Sequence, residues 1–252
     1  MIIRKSLEEL QKMRRSGGIL AGTIDEVLAA VAPGVSTADL DGVAERRIRA
    51  EGALPSFLGY KGFTASICAS LNDEIVHGIP SSKRVLAEGD LLSLDFGAIW
   101  EGYHSDSAVS VFVGGTAPSD EAARLVKATE AALDAAIDAI VPGGRLSDIG
   151  WAIESTAAPL GLGIVREYGG HGIGRSMHED PFIQNWGPPG RGPDLRPGLV
   201  VAVEPMLTLG GEETRLLADG WTVVTADGSL SAHFEHTVAI TEDGPEVFTA
   251  RR

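Results

Sequence analysis

The chain has one cysteine, Cys68, which excludes an internal disulfide and fits a reducing cytosol. It has no uninterrupted apolar run of about 18 residues to span a bilayer, and its first residues lack the long apolar core of a secretory signal. Basic residues are scarce: 21 Lys and Arg stand against 35 Asp and Glu, a net charge of −14. That balance argues against a nucleic-acid binder, because phosphate contacts need clustered positive charge. The local exceptions are Arg4, Lys5, Lys12, Arg14, Arg15 and the pair Arg46-Arg47, which read as solvated helix faces. Flexible linkers and low-complexity tracts are also missing. These absences lead us to expect a soluble cytoplasmic protein, with no membrane partner and no nucleic-acid specificity. We expect a monomer, since no exposed heptad or repeat edge demands a second copy.

What is present is enough apolar material for a sizeable core: 252 residues, 44% hydrophobic. Read against itself, the chain repeats. Val31-Ala32-Pro33-Gly34-Val35-Ser36 resembles Ile140-Val141-Pro142-Gly143-Gly144-Arg145 at an offset of 109 positions (140 minus 31). The same offset lays Gly89 to Asp95 over Gly198 to Glu204 and makes Asp95 and Glu204 equivalent. The chain therefore reads as a single domain, 1–252, of two fused halves, about 1–115 and 116–252.

Ser6-Leu7-Glu8-Glu9 is a capping-box pattern opening a helix to about Val31, with Leu7, Leu10, Leu20, Ile24, Val27 and Leu28 available for burial. A second helix is predicted from Ser36 or Thr37 to about Gly52, a third from Ser119 to Ile140 and a fourth from Ser147 to about Leu160. Strands are predicted at about 64–70, 91–97, 107–113, 164–168, 199–206, 221–225, 234–241 and 246–249. Helices before strands, twice over, indicate an α+β fold with helices covering one face of a mainly antiparallel sheet.

Four acids are out of place in this pattern. Asp95, Asp106, Glu204 and Glu235 lie in or beside apolar strand-like runs, where an unpaired carboxylate is costly to bury. Any one alone would ordinarily be a surface residue or a satisfied acceptor. Together they ask for a counter-charge, which a pair of divalent cations would provide. Asp95 and Asp106 are spaced for a strand, a turn and a return strand, which can bring two acids to one face. His171 lies in Gly169-Gly170-His171-Gly172-Ile173-Gly174, followed at once by His178-Glu179-Asp180-Pro181. One histidine among four carboxylates suits manganese, iron, cobalt or zinc in a two-metal site. It does not suit a structural zinc, which needs more cysteine or histidine. His77 and His178, taken alone, read as structural histidines.

Several blocks together carry a more specific signal. They are Leu58-Gly59-Tyr60-Lys61-Gly62-Phe63, Asn72 through Pro80, Asp95-Phe96-Gly97 with Gly102-Tyr103-His104-Ser105-Asp106, Gly170 through Gly174 with His178-Glu179, and Val203-Glu204-Pro205-Met206. On these blocks the sequence resembles the type I methionine aminopeptidases, members of the pita-bread metallopeptidase fold, over nearly its whole length. The absence of a cysteine- and histidine-rich N-terminal extension, and of a large insertion between His171 and Glu204, points to the short bacterial form.

The resemblance implies removal of the N-terminal methionine from peptides and nascent chains by two-metal-activated hydroxide. Asp95, Asp106, His171, Glu204 and Glu235 would hold the metals, and Glu204 would also move protons. His178 would hydrogen-bond the scissile carbonyl, and His77 would contact the scissile amide or the leaving peptide. Tyr60, Phe63, Cys68 and Trp221 would form the methionine slot, with Phe57 and Met177 nearby. Lys61 and Met177 stand where many relatives carry histidine and an aromatic residue. A monovalent cation would fall near Asn72, Glu74 and Ser231. A transient ribosome contact through Lys12, Arg14 and Arg15 is a further expectation. Prolidase or aminopeptidase P, which share the ligands but usually carry an extra N-terminal domain, are the rivals, along with creatinase-like enzymes and a non-catalytic binding scaffold.

Overall fold

The computed structural model describes residues 1–251. The first helix, α1, spans Leu7–Ala30. Its start is fixed by the expected capping box: the Ser6 hydroxyl accepts from the Glu9 amide and the Glu9 carboxylate accepts from the Ser6 amide. Leu10, Met13, Leu20, Ile24 and Val27 form its buried stripe, whereas Leu7, in the first turn, stays exposed. Helix α2, Thr37–Ala50, opens on a second capping box between Ser36 and Asp39. Helix α3, Asp120–Asp138, is capped by Ser119, and α4, Ser147–Ala157, continues into a single 3₁₀ turn through Leu160.

The strands are more numerous than the sequence pattern predicts and mostly shorter, except that Leu91–Trp100 and Tyr103–Phe112 each run to 10 residues, beyond the predicted 91–97 and 107–113. The first half contributes β1 (Leu54–Pro55), β2 (Ile67–Leu71), β3 (Glu74–Val76), β4 (Leu91–Trp100) and β5 (Tyr103–Phe112). After α4 come β6 (Gly163–Ile164), β7 (Gly170–Gly172), β8 (Glu179–Ile183), β9 (Val200–Val203) and β10 (Met206–Thr208). The chain finishes with β11 (Thr214–Leu216), β12 (Val223–Thr225), β13 (Ser231–His233), β14 (His236–Thr241) and β15 (Gly244–Val247). The single runs predicted at 199–206 and 234–241 are each broken, at Glu204-Pro205 and at Phe234-Glu235. The β9–β14 ladder therefore stops at Val203 and His236, leaving Glu204 beyond it and Glu235 paired with Ala108 instead, a change that alternating hydrophobicity does not register. The run predicted at 164–168 is a strand only at its first residue.

All ladders among the described residues are antiparallel, joining β4 to β1, β2 and β5, then β15-β14-β9-β7-β8, β13-β10-β6 and β11-β12-β3. The β4–β5 hairpin closes on Glu101-Gly102, both with positive φ (48° and 80°), as a two-residue turn matched to strand twist requires. Along β4, Leu92, Leu94, Phe96 and Ala98 join the main core with Ile24, Leu40, Leu133 and Ile149 of the helices. Period-two alternation turns Ser93, Asp95 and Gly97 to the other face. One face of the sheet therefore meets helices and the other carries chemistry.

The two halves are joined along the edge of β5 that does not pair with β4. Glu235 and Ala108 exchange backbone hydrogen bonds in both directions. The Thr237 hydroxyl accepts from the Asp106 amide and donates to the Asp106 carbonyl, both at 2.8 Å.

Most of the basic residues expected to be solvated are so, in ion pairs: Lys12 with Glu8 and Glu101, Arg14 with Glu246, Arg15 and Arg47 with Glu51. Lys5 corrects that expectation. Its side chain is only 2% exposed and is paired with Glu179, a partner 174 positions away that local sequence does not reveal. No helix among the described residues is long and apolar enough to cross a membrane.

Candidate active site

Asp95 and Asp106 reach one face of the β4–β5 hairpin by register. Asp95 lies opposite Ala108 and Asp106 opposite Gly97, so the acids are diagonal neighbours. The two carboxyl groups are close enough to perturb each other. His171 is at the centre of β7, beside β9, and Glu204 follows the end of β9. His171 Nε2 lies 3.7 Å from Asp106 Oδ2 and 3.5 Å from Glu204 Oε1. Asp106, His171 and Glu235 each offer a donor atom, all within 4.8 Å of one another. The structure thus gathers all five predicted ligands.

The electrostatics of the cluster ask for cations. Burial, and then the neighbouring carboxylates, push Asp106, Glu204 and Glu235 well above the usual range, and burial also raises Asp95. Burial holds His171 neutral, down to about 3, so its imidazole is available as a ligand. Its Nδ1 faces the Gly172 carbonyl at 2.9 Å, which leaves Nε2 for the carboxylate side. Asp95 Oδ1, Asp106 Oδ1 and Glu235 Oε1 are buried without a hydrogen-bond partner. Such orphaned oxygens are costly unless a cation takes them, so the donor set fits a divalent metal pair.

Glycine makes the His171 strand possible. A Cβ on Gly172 would come within 2.2 Å of the Asp180 carbonyl oxygen, and one on Gly170 within 2.4 Å of that of Ala202. Backbone crowding of this kind needs glycine, which explains the Gly-His-Gly run.

Beside the carboxylates opens a cavity of about 270 Å³. Phe57, Phe63, Cys68 and Met177 are buried around it, and Tyr60 and Trp221 complete its apolar wall. The Phe63 and Trp221 rings meet edge to face at 5.0 Å. His77 and His178 also line it. His77 has a positive φ of 62°, an uncommon conformation that turns its ring towards Tyr168 and Trp221. His178 lies 4.2 Å from His171, ring centre to ring centre, and its Nδ1 is 2.9 Å from the Tyr60 hydroxyl. All of the pocket residues predicted from sequence therefore share one cavity with all of the ligands.

Sequence reasoning missed Glu167, Tyr168 and Phe182 at the cavity wall. It also missed His233, whose buried, unpartnered Nε2 lies 3.7 Å from Glu235 Oε2. The His-x-Glu spacing, which places residues 233 and 235 two apart, was the available signal. The other three carry none, because they are ordinary residues of loops and short strands. Asn72 and Ser231 do meet, the Ser231 amide donating to the Asn72 carbonyl at 2.9 Å. The Glu74 carboxylate accepts from Arg84 and from the Leu71 amide.

Comparison with known proteins agrees with this geometry. Residues 11–242 match Metallopeptidase family M24. The chain is 53% identical to "Methionine aminopeptidase 1" of Mycobacterium tuberculosis, covering 99% of this chain and 95% of that protein. It is 50% identical to "Methionine aminopeptidase 1" of Bacillus subtilis, covering 99% of each. Among solved structures, the methionine aminopeptidase of Thermotoga maritima superposes with a TM-score of 0.97 at 41% identity, over the whole of both chains. The Pyrococcus horikoshii prolidase shares the fold, with a TM-score of 0.79 at 22% identity, and this chain covers 65% of it.

Proposed function

Because this chain belongs to metallopeptidase family M24, with full-length relatives at about half identity, we propose that it is a metal-dependent methionyl aminopeptidase. Its substrates are peptides and nascent chains that begin with methionine. The observation that carries this reading is a single cavity lined both by the five candidate ligands Asp95, Asp106, His171, Glu204 and Glu235 and by the apolar side chains of Phe57, Phe63, Cys68, Met177 and Trp221. A thioether side chain suits such a slot, being unbranched, polarizable and at ease against aromatic rings.

Asp95, Asp106, His171, Glu204 and Glu235 would hold the two divalent ions. When bound, these would supply the positive charge that polarises a carbonyl and acidifies a water near neutral pH. Glu204, raised by burial and by Asp106 and Asp95, is suited to take a proton and return it to the leaving amine. His178 is held below its ordinary value by burial and by the Lys61 ammonium, so it is neutral in the working range. With the Tyr60 hydroxyl donating to Nδ1, its Nε2 carries the proton and can donate to the scissile carbonyl as charge develops there. His77, brought down to about 4 by burial, is likewise neutral and placed to meet the scissile amide or the leaving peptide.

A monovalent cation beside Asn72, Glu74 and Ser231 belongs to the same reading. Arg84 already offsets the Glu74 charge, so such an ion would rest on backbone oxygens. A ribosome contact through Lys12, Arg14 and Arg15 would compete with their present ion pairs. Neutralising the three residues and measuring co-sedimentation tests it.

The experiment for the activity strips the protein of metal and restores Co²⁺ or Mn²⁺, with Met-Ala-Ser, Gly-Pro and Ala-Pro-Ala as substrates. Metal-dependent release of methionine alone, lost in Glu204→Ala, is the expected result. Cleavage of the proline peptides alone would move the chain to the prolidase branch. Metal binding without any cleavage would make it a binding protein.

A further inference from the structure

Beneath the turn that carries His178 lies a buried ion pair with no part in the chemistry described above. The Lys5 ammonium meets Glu179 Oε2 at 2.8 Å, and the side chains are 2% and 6% exposed. The other carboxylate oxygen, Oε1, accepts from the Ser176 amide, so Glu179 braces the turn from below. Lys5 is itself anchored: its amide donates to the Gly198 carbonyl at 2.6 Å and its ammonium to the Ile3 carbonyl. Gly174 makes room for it. A Cβ there would lie 2.5 Å from Lys5 Cε and 2.6 Å from Glu179 Oε1. The far side of the turn is tied down by the His104 amide, which donates to the Gly174 carbonyl at 2.8 Å.

These contacts enclose residues 174–179 and leave the side chains of Met177 and His178, just before Glu179, as the parts that reach the cavity, His178 on the side of His171. A buried ion pair is a poor source of stability, since apolar replacements of similar volume often serve as well or better. What it does well is fix geometry, because each charge tolerates few alternative partners in a dry environment.

We propose that Lys5 is a positioning residue for His178, acting through Glu179 and the 174–178 turn. This rests on the reading of His178 as the group that meets the scissile carbonyl. Displacing a hydrogen-bond donor by a fraction of an ångström weakens its contact with the transition state more than its contact with the ground state.

The test is a double-mutant cycle on methionyl-peptide hydrolysis by the metal-loaded enzyme, using Lys5→Met, His178→Ala and the two combined. Lys5→Met is expected to lower kcat about 10- to 100-fold with KM little changed and metal content intact. In the His178→Ala background the same substitution is expected to cost nothing further. Equal losses in both backgrounds, or full activity in Lys5→Met, would overturn the proposal. Should Lys5→Met fail to fold, Glu179→Gln removes the charge but keeps an acceptor for Ser176. It takes the place of Lys5→Met in the cycle, with the same expected loss and the same overturning results. Failure of the activity reading would appear separately, as absence of methionine release by the unmutated enzyme.

Discussion

The Cys68 thiol and the Asp95 carboxylate are directly opposed across the β2–β4 ladder, on the face that lines the cavity. Burial first, and then the charges of Asp95 and Asp106, push the Cys68 thiol well above its ordinary value. Only the thiolate reacts with alkylating agents. Iodoacetamide at mildly alkaline pH is therefore expected to leave the folded protein unmodified and to add one group per chain in denaturant. Rapid labelling of the native protein, read by mass spectrometry, would contradict this assignment.

Metal removal should be visible in stability as well as activity. Without cations, the buried carboxylates repel one another and keep oxygens unpartnered. A ligand bound only by the folded state, at about 100 times its dissociation constant, adds about 2.7 kcal/mol. For a chain of this size that raises Tm by about 5–10 °C. Differential scanning calorimetry of stripped and Mn²⁺-loaded protein measures it, and an unchanged Tm at saturating metal would sink the two-metal reading.

Gly172→Ala tests the crowding beside His171. The added methyl would press on the Asp180 carbonyl oxygen, which belongs to the backbone of β8 and cannot swing aside. Overpacking of this sort costs about 1–3 kcal/mol. We expect urea unfolding to shift accordingly and metal affinity to fall, because the imidazole moves with its strand. A variant that matched the parent in both would show that the strand can yield.

The acid side of the stability profile should carry the signature of His77. Burial brings its folded value down to about 4, below the ordinary 6.5. The unfolded chain therefore takes up the proton first. Stability is whole above about pH 6.5, is lost as pH falls from there towards about 4, and levels off below. His77 retains some solvent exposure, so its contribution is on the order of 1–2 kcal/mol. His77→Gln should flatten that portion of the curve in urea titrations at stepped pH, and parallel curves would refute it.

The legible parts of this protein were those governed by local rules. Ser6 with Glu9 announced the first helix start, because a capping box closes within one turn, and the second was placed at Ser36 or Thr37 from local signals alone. Four of the five candidate ligands were legible because carboxylates in apolar runs are chemically anomalous, and His171 because it stands in a glycine-rich run just ahead of His178. The short strands β7 and β8 were not, since glycines and charged residues carry no β pattern; tertiary pairing makes them strands. The interruptions at Glu204 and Glu235 were hidden because hydrophobic alternation continues through them while the β9–β14 ladder stops at Val203 and His236. Lys5 was misread for a related reason: its environment is set by Glu179 and Gly198, far along the chain, while its neighbours in sequence are ordinary surface residues.

The mutual hydrogen bonds of Ala108 and Glu235 also bear on the order of synthesis. Asp95 and Asp106 are made early, yet their carboxylates meet His171, Glu204 and Glu235 only once β14 has closed on β5. On the proposed reading, a chain still being translated would have no complete metal centre until residue 235 had emerged and found its partner. Activity would then arrive at the end of synthesis rather than grow in with length, since a half-made copy would lack part of the candidate ligand set.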